Sequence, residues 1–349
     1  MRSRSRRTTT WALAATCIAS LAAACSSSDS SNPGTGGGGS GGPCPGAECG
    51  YASSACLAVG DNTGAARTQL RMIQLVTTAP PALTSNFVED TILNKNLRFA
   101  YGSCPLYGTG EFSWLFDWDT AAGKLTMGGG ALLPDENAAK SGTCFLQFHD
   151  DTSGIDVAPA TVDAPLGADG KFDATFDKIV IPIFLNPTAT SYVLLPLHQV
   201  HVRTTDTGAV TDNAGTPSAT GNCLGTYKAA ALPVTSDVYC IPDDNYSYFT
   251  PGGQLDGYVT VAESDAVWVK DLQESLCVLL SNDPATYKDV DTSKCKRDAQ
   301  GNITLKGDWD SATNSAMAGG DSFHLVAQFA ANAVKINGTA TKFDCSDAH

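Results

Sequence analysis

The side chains that could do chemistry in this chain are carboxylates and a handful of imidazoles. Of its 36 acidic residues only six are glutamate, and there are five histidines. The densest oxygen-donor run is Asp256-Gly257-Tyr258-Val259-Thr260-Val261-Ala262-Glu263. It sets two carboxylates seven residues apart around a glycine, and oxygen donors of that kind suit a hard cation such as calcium. His198 and His201 flank Gln199 and Val200. On a strand, residues three apart point to opposite faces, so these two imidazoles could not share a metal. A helix would bring them together, but the valines and leucines on either side argue for a strand. His149-Asp150-Asp151 reads as a polar turn after a short strand. Asp117/Asp119 and Asp308/Asp310 are i, i+2 pairs that flank Trp118 and Trp309. Paired carboxylates serve glycoside hydrolysis, and a tryptophan beside them suits a sugar edge. Catalytic pairs usually come from separate strands, however, so the plainer expectation is a turn beside a buried tryptophan. His-Glu-x-x-His and P-loop patterns are absent, and no catalytic residue is assigned.

The run from Asp256 to Glu263 resembles the second half of an EF-hand loop. It has an acid, the sharp-turn glycine, a β-branched residue two positions on, and a glutamate where a helix begins. The resemblance implies a metal site, with calcium as the ion. Asp256 would give a carboxylate, Tyr258 its backbone carbonyl and Glu263 two oxygens. The first half departs from the pattern: Gly252 stands where an acid is needed, Gln254 holds the middle ligand position, and Pro251-Gly252-Gly253 preclude a preceding helix. The reading that the residues favour is a strand-turn followed by a capping box, with Thr260 capping the helix and Glu263 folding back.

These residues need elements to hold them. Residues 68–76 alternate as a strand. Residues 112–118 and 124–127, around a turn at 119–123, read as a hairpin. A short strand follows at 145–148. Asp169-Gly170 supplies the positive φ angles of a two-residue hairpin turn, which joins a strand at 161–165 to a long run at 172–185. Residues 192–203 continue the sheet, with Pro182 and Pro196 marking edges or bulges. Residues 86–97 carry an amphipathic helical pattern. Residues 264–281 form the clearest helix: Trp268, Val269, Leu272, Leu276, Leu279 and Leu280 share one face, and Pro284 follows its end. Residues 323–336 return to the sheet. The Thr/Gly/Asn-rich residues 204–221 are a long loop or a domain boundary.

The excess of aspartate over glutamate, with 34 glycines, favours turns over helix interiors. The expected fold is mainly β, sandwich-like and disulfide-stapled, with a few helices; the alternative is α+β in two domains. A hydrophobic content of 42% permits a substantial core. The net charge of −14 repels nucleic acid and anionic lipid, so no nucleic-acid partner is expected.

The chain opens with four arginines before residue 8, then an apolar stretch at 11–24 ending Leu21-Ala22-Ala23-Ala24-Cys25. Residues 1–24 read as a signal peptide, with an apolar run too short to span a bilayer. Small residues before Cys25 resemble the lipobox of bacterial lipoproteins. Leu21 lies four rather than the usual three residues before the cysteine, and cleavage without lipidation is the alternative. The resemblance implies diacylation at Cys25, and multiple acyl chains anchor far more firmly than one. Ser26 resembles the residue that sorts such proteins to the outer membrane. Arg6-Arg7 lacks the hydrophobic residues that follow in a twin-arginine signal. Residues 26–43 are Ser, Gly, Asp, Asn, Pro and Thr only, a flexible tether of roughly 20–25 Å root-mean-square reach. Its formal G-x-S-x-G and G-x-G-x-x-G matches lack the flanking strand and helix and follow from composition. The organisation is thus signal peptide 1–24, anchored linker with a cysteine cluster 25–57, and a β-rich body 58–349 with a split near 204–221 as the alternative.

Ten cysteines remain beyond Cys17 and Cys25. An even number in an exported chain argues for disulfides. Proximity along the chain suggests Cys104–Cys144, Cys223–Cys240 and Cys277–Cys295, with Cys345 tied to the cluster Cys44, Cys49 and Cys56. No C-x-x-C is present, so zinc and redox roles are not expected. Asn245, Asn302 and Asn337 match the glycosylation sequon by chance. The expected function is an exported lipoprotein of the cell envelope, in the outer membrane, with a non-catalytic binding or structural role. It would meet the membrane through its lipid and an extracytoplasmic ligand through its body. Calcium is the only cofactor suggested. The alternatives are a secreted polysaccharide hydrolase using aspartates and a calcium-dependent adhesion module.

Overall fold

The computed structural model describes residues 56–84, 89, 93–99, 108–228, 248–270, 272–281 and 293–349. The signal segment, Cys25, the tether, Cys44, Cys49, Cys104, Cys240 and Asn245 lie outside them, as does half of the helical pattern at 86–97, of which Lys95–Leu97 is helical. The chain is mostly β, with short helices. Eight strands carry the main sheet: β1 Arg67–Ala79, β2 Trp114–Asp119, β3 Lys124–Gly129, β4 Ala160–Asp163, β5 Asp173–Phe184, β6 Tyr192–Thr204, β7 Gly253–Thr260 and β8 Ser322–Ala333.

Their order is β4-β3-β2-β1-β8-β7-β6-β5, and every neighbouring pair is antiparallel. Each strand therefore lies beside its predecessor in sequence, and β1 pairs β8. Only β4 and β5, which are in contact, lack a shared ladder. The result is a nearly closed sheet rather than two packed sheets, and closure removes most of the exposed edges that an open sheet would present. The turn expected at Asp169-Gly170 forms, with Gly170 at φ +71°. It makes no hairpin, since its flanking strands are the two ends of the sheet. A side chain at Gly170 would also strike the Val210 carbonyl.

Alternation explains which face is buried. On β8, Phe323, Leu325, Ala327, Phe329, Ala331 and Ala333 point inward, while His324, Val326 and Gln328 face out. On β2, Trp114, Phe116 and Trp118 join the same core. Phe116 stacks on Phe329 with centroids 5.3 Å apart. Pro196 sits where β6 is paired on one edge only, since the β7 ladder covers residues 198–204, and there its missing N–H costs no ladder bond.

Three corrections follow. Residues 264–281 do not form one helix. Val261–Ala266 is helical, Trp268–Val269 and Glu274–Ser275 form a small hairpin with Gln273 at φ +54°, and Leu276–Ser281 is a second helix. Leu272, expected on the apolar face, is 49% exposed. The buried Asp265 carboxylate overrides the local period: it accepts hydrogen bonds from Ser275 Oγ, Cys295 N and Arg297 Nη2. The second and third corrections concern disulfides. Cys277–Cys295 forms as expected, but Cys144 pairs with Cys345 rather than Cys104, which also takes Cys345 from the expected Cys44, Cys49 and Cys56 cluster, and Cys223 pairs with Cys56 rather than Cys240. Strand pairing sets these partners. Thr143–Leu146 runs parallel to Ile336–Ala340, which carries the C-terminal segment to Cys144. Cys223–Leu224 pairs with β8, and Val59 N donates to Ala333 O at the same place.

Candidate functional site

The outward side of β5, β6, β7 and β8 gathers histidine, carboxylate, lysine and arginine side chains from four strands. Its assembly depends on one irregularity. Asp256 faces His201 across the β7–β6 ladder, but Tyr258 faces His198. Two residues, Gln199 and Val200, thus oppose Gly257 alone, and Gln199 adopts φ +47°. This is a β-bulge, and it re-aims the side chains beyond it. Leu197 and Val200 are fully buried, while His198, Gln199 and His201 are all partly exposed. On β5, Asp177 and Lys178 are both exposed in the same row. The expectation that His198 and His201 face opposite ways is therefore corrected: the bulge puts both on the outer wall. Gly257 fits this crossing tightly, since a Cβ there would lie 3.1 Å from the His198 carbonyl oxygen.

Two clusters result. In the first, Glu263 at the start of helix Val261–Ala266 lies 2.7 and 2.9 Å from His198 Nε2 through its two oxygens. It accepts from Lys178 Nζ at 2.8 Å and from Thr260 Oγ1 at 2.9 Å. Burial works to raise the Glu263 pKa, but these hydrogen bonds outweigh it and hold the carboxyl at about 2. Thr260 caps the helix by accepting from Glu263 N. Tyr258 stacks on His198 at 5.4 Å.

The second cluster centres on Asp256. Arg203 Nη1 donates to Asp256 Oδ1 at 3.0 Å and to His201 Nδ1 at 2.5 Å. The Gln254 carboxamide faces the same guanidinium. His201 Nε2 lies 2.8 Å from Asp173 Oδ1. From β8, His324 Nε2 comes within 4.0 Å of Asp256 Oδ2; that nitrogen is buried and has no hydrogen-bond partner. Trp309 covers the His324 ring at 3.7 Å, nearly parallel to it, and donates to Asn314 Oδ1. Burial favours the neutral acid at Asp256, while His324 and Arg203 outweigh it and keep its pKa low.

The three residues suggested for calcium are thus not gathered into a loop. Residues 253–260 form β7, hydrogen-bonded on both edges. Asp256 pairs with Arg203, while Glu263 pairs with His198 and Lys178. The remaining acid pairs hold structure. Asp117 is buried against Arg67 and Gln69, and Asp119 caps the turn at Ala122. Asp308 accepts from His324 N, and Asp310 from Ala312 N. His149 pairs with Asp156 on the exposed hairpin Phe148–Asp150/Ile155–Val157. Asp265, Cys277 and Cys295 lie close together, but the cysteines form a disulfide.

Sequence reading missed His324, Arg203, Asp173 and Lys178 as members of one face. A signal for the bulge was present. Leu197-His198-Gln199-Val200-His201-Val202-Arg203 alternates except for two successive polar residues, and Asp177-Lys178 breaks the alternation of β5 in the matching row. The fold and face define a disulfide-stapled, nearly closed antiparallel sheet with an ionic outer wall. Comparison with family models, curated proteins and solved structures finds no match for it.

Proposed function

We propose that this chain is an exported lipoprotein, anchored through Cys25 and held off the outer membrane by residues 26–43, whose outer wall binds an extracytoplasmic ligand in a non-catalytic role. The observation that carries the reading is the wall itself. Its charged and aromatic groups sit on ladder-paired strands and are already fixed by one another, so binding there would order few side chains. Trp309 adds a flat apolar surface beside the charges, a combination suited to recognition.

Two measurements test this. Cys25→Ser should move the protein from the membrane pellet to the soluble fraction and abolish palmitate labelling. Unchanged pelleting would sink the anchor. For the wall, the oxidised mature chain is assayed for retention on envelope polysaccharide and on purified envelope fractions, beside Trp309→Ala with His201→Ala. A tenfold or greater loss of retention, with unfolding temperature kept, is expected. Equal retention places binding elsewhere, and release of reducing sugar would favour hydrolysis instead.

A further inference from the structure

The tryptophan that the sequence sets between Asp308 and Asp310 forms a fixed, flat surface on the outer wall. Trp309 lies on the hairpin Gly307–Asp310/Ser315–Gly320, beside β8. One face of its indole covers His324 at 3.7 Å, and its N–H donates to Asn314 Oδ1 at 3.0 Å, so the ring is held in one orientation. Directly across the hairpin stands Ala316. Residues paired on neighbouring strands project from the same side, and Ala316 is exposed and too short to cover the ring. Trp309 is accordingly only partly buried. Polar groups flank it. Asn314, exposed and at φ +48°, gives its oxygen to the indole, which leaves its Nδ2 hydrogens to donate. Asp308, also exposed, accepts from His324 N on Oδ1 at 2.9 Å, which leaves Oδ2 to accept. Asp308, Asp310 and Asp321 all accept from neutral donors, so their charges stand uncompensated by a cation among the described residues.

The face of an aromatic ring carries negative potential, which attracts the positive hydrogens of C–H bonds. A pyranose with equatorial hydroxyls presents ring C–H bonds on its faces and hydroxyls at its rim, where a few fixed polar groups set its orientation. A carboxylate without a cation partner accepts from such a hydroxyl and repels an anionic sugar. We infer that the Trp309 face turned away from His324 seats a neutral pyranose of this kind within an extracytoplasmic polysaccharide, with Asn314 Nδ2 donating and Asp308 accepting at its rim. The inference deepens the reading of the outer wall as a binding face, rests on it, and names the class of ligand.

The test is calorimetric titration of the oxidised mature chain with cellohexaose and with chitohexaose, neutral chains of equatorial pyranoses, beside the anionic oligogalacturonate of the same length. Saturable binding of at least one neutral sugar is expected, at least tenfold tighter than that of the anionic one. Trp309→Ala should weaken it at least tenfold, whereas Trp309→Phe, which keeps a flat ring, should stay within about threefold of the parent. Ala316→Leu places a side chain over the open face while leaving the His324 stack in place, and should also weaken binding at least tenfold. Unfolding temperatures check each variant, and Ala316→Leu decides the matter if Trp309→Ala does not fold. Failure of both neutral sugars to bind overturns the site, as does binding that either Trp309→Ala or Ala316→Leu leaves unchanged. Equal affinity for the anionic sugar overturns the preference for a neutral one. If the sugars fail while the Trp309→Ala and His201→Ala pair still loses retention on envelope fractions, the ligand class is wrong and the binding face stands.

Discussion

Glu263 receives side chains from three strands: Lys178 from β5, His198 from β6 and Thr260 at the end of β7. Its folded pKa of about 2 lies below the ordinary 4.5. Folding is therefore helped by its ionisation. That help is complete above pH 4.5 and is lost as the pH falls from 4.5 towards 2. With the side chain about a quarter exposed, the contribution should be about 2 kcal/mol. Denaturation of the parent and Glu263→Gln across this window should show the gap between them shrinking toward pH 2. A constant gap would mean that the variant loses packing and not charge. At this scale sequence reading went partway. Asp256 and Glu263 stood out as chemistry, and the Thr260–Glu263 cap was written in local spacing. Their cationic partners were invisible, because Arg203 and Lys178 lie 53 and 85 residues away along the chain.

Among the elements, the bulge in β6 and the hairpin at Trp268–Ser275 carry the two lessons about local pattern. Gln199 holds φ +47°, where a non-glycine residue costs of order 1 kcal/mol. Gln199→Gly should relieve that strain while keeping the bulge. Part of the gain is offset by the extra freedom of glycine in the unfolded chain. A rise in melting temperature of about 1–3 °C is expected. A fall would show that the Gln199 side chain holds the wall in place. The hairpin shows the opposite case, in which a clear helical period was overridden. Val267 and Val269 are β-branched, and the buried Asp265 recruits Ser275 and Cys295 from beyond the turn. Asp265→Ala leaves the buried Ser275 hydroxyl and Cys295 N–H without their acceptor. Losses of about 3 kcal/mol in denaturant unfolding are expected from breaking such a buried network. A loss under 1 kcal/mol would mean that the Cys277–Cys295 bridge alone holds this insertion.

For the whole molecule, the order β4-β3-β2-β1-β8-β7-β6-β5 explains why the cysteine pairing resisted reading along the chain. A nearly closed sheet brings first and last segments together, so sequence-distant cysteines become neighbours. Mainly β composition and most strands were legible from alternation and turn residues; closure was not, because it depends on which ends meet. The bridges Cys144–Cys345 and Cys56–Cys223 span 201 and 167 residues, against 18 for Cys277–Cys295. If a bridge acts chiefly by restricting the unfolded chain, the long loops contribute about 5 kcal/mol each and the short one about 3. Replacing Cys144 and Cys345 by alanine should then cost about 2 kcal/mol more than replacing Cys277 and Cys295, measured by denaturant unfolding without reductant. The denaturant slope should also steepen in the Cys144/Cys345 variant, because its unfolded chain expands and exposes more surface. A larger cost for the short bridge, with no change in slope, would locate its effect in the native state. The packing around Asp265, rather than chain entropy, would then be what the disulfide secures.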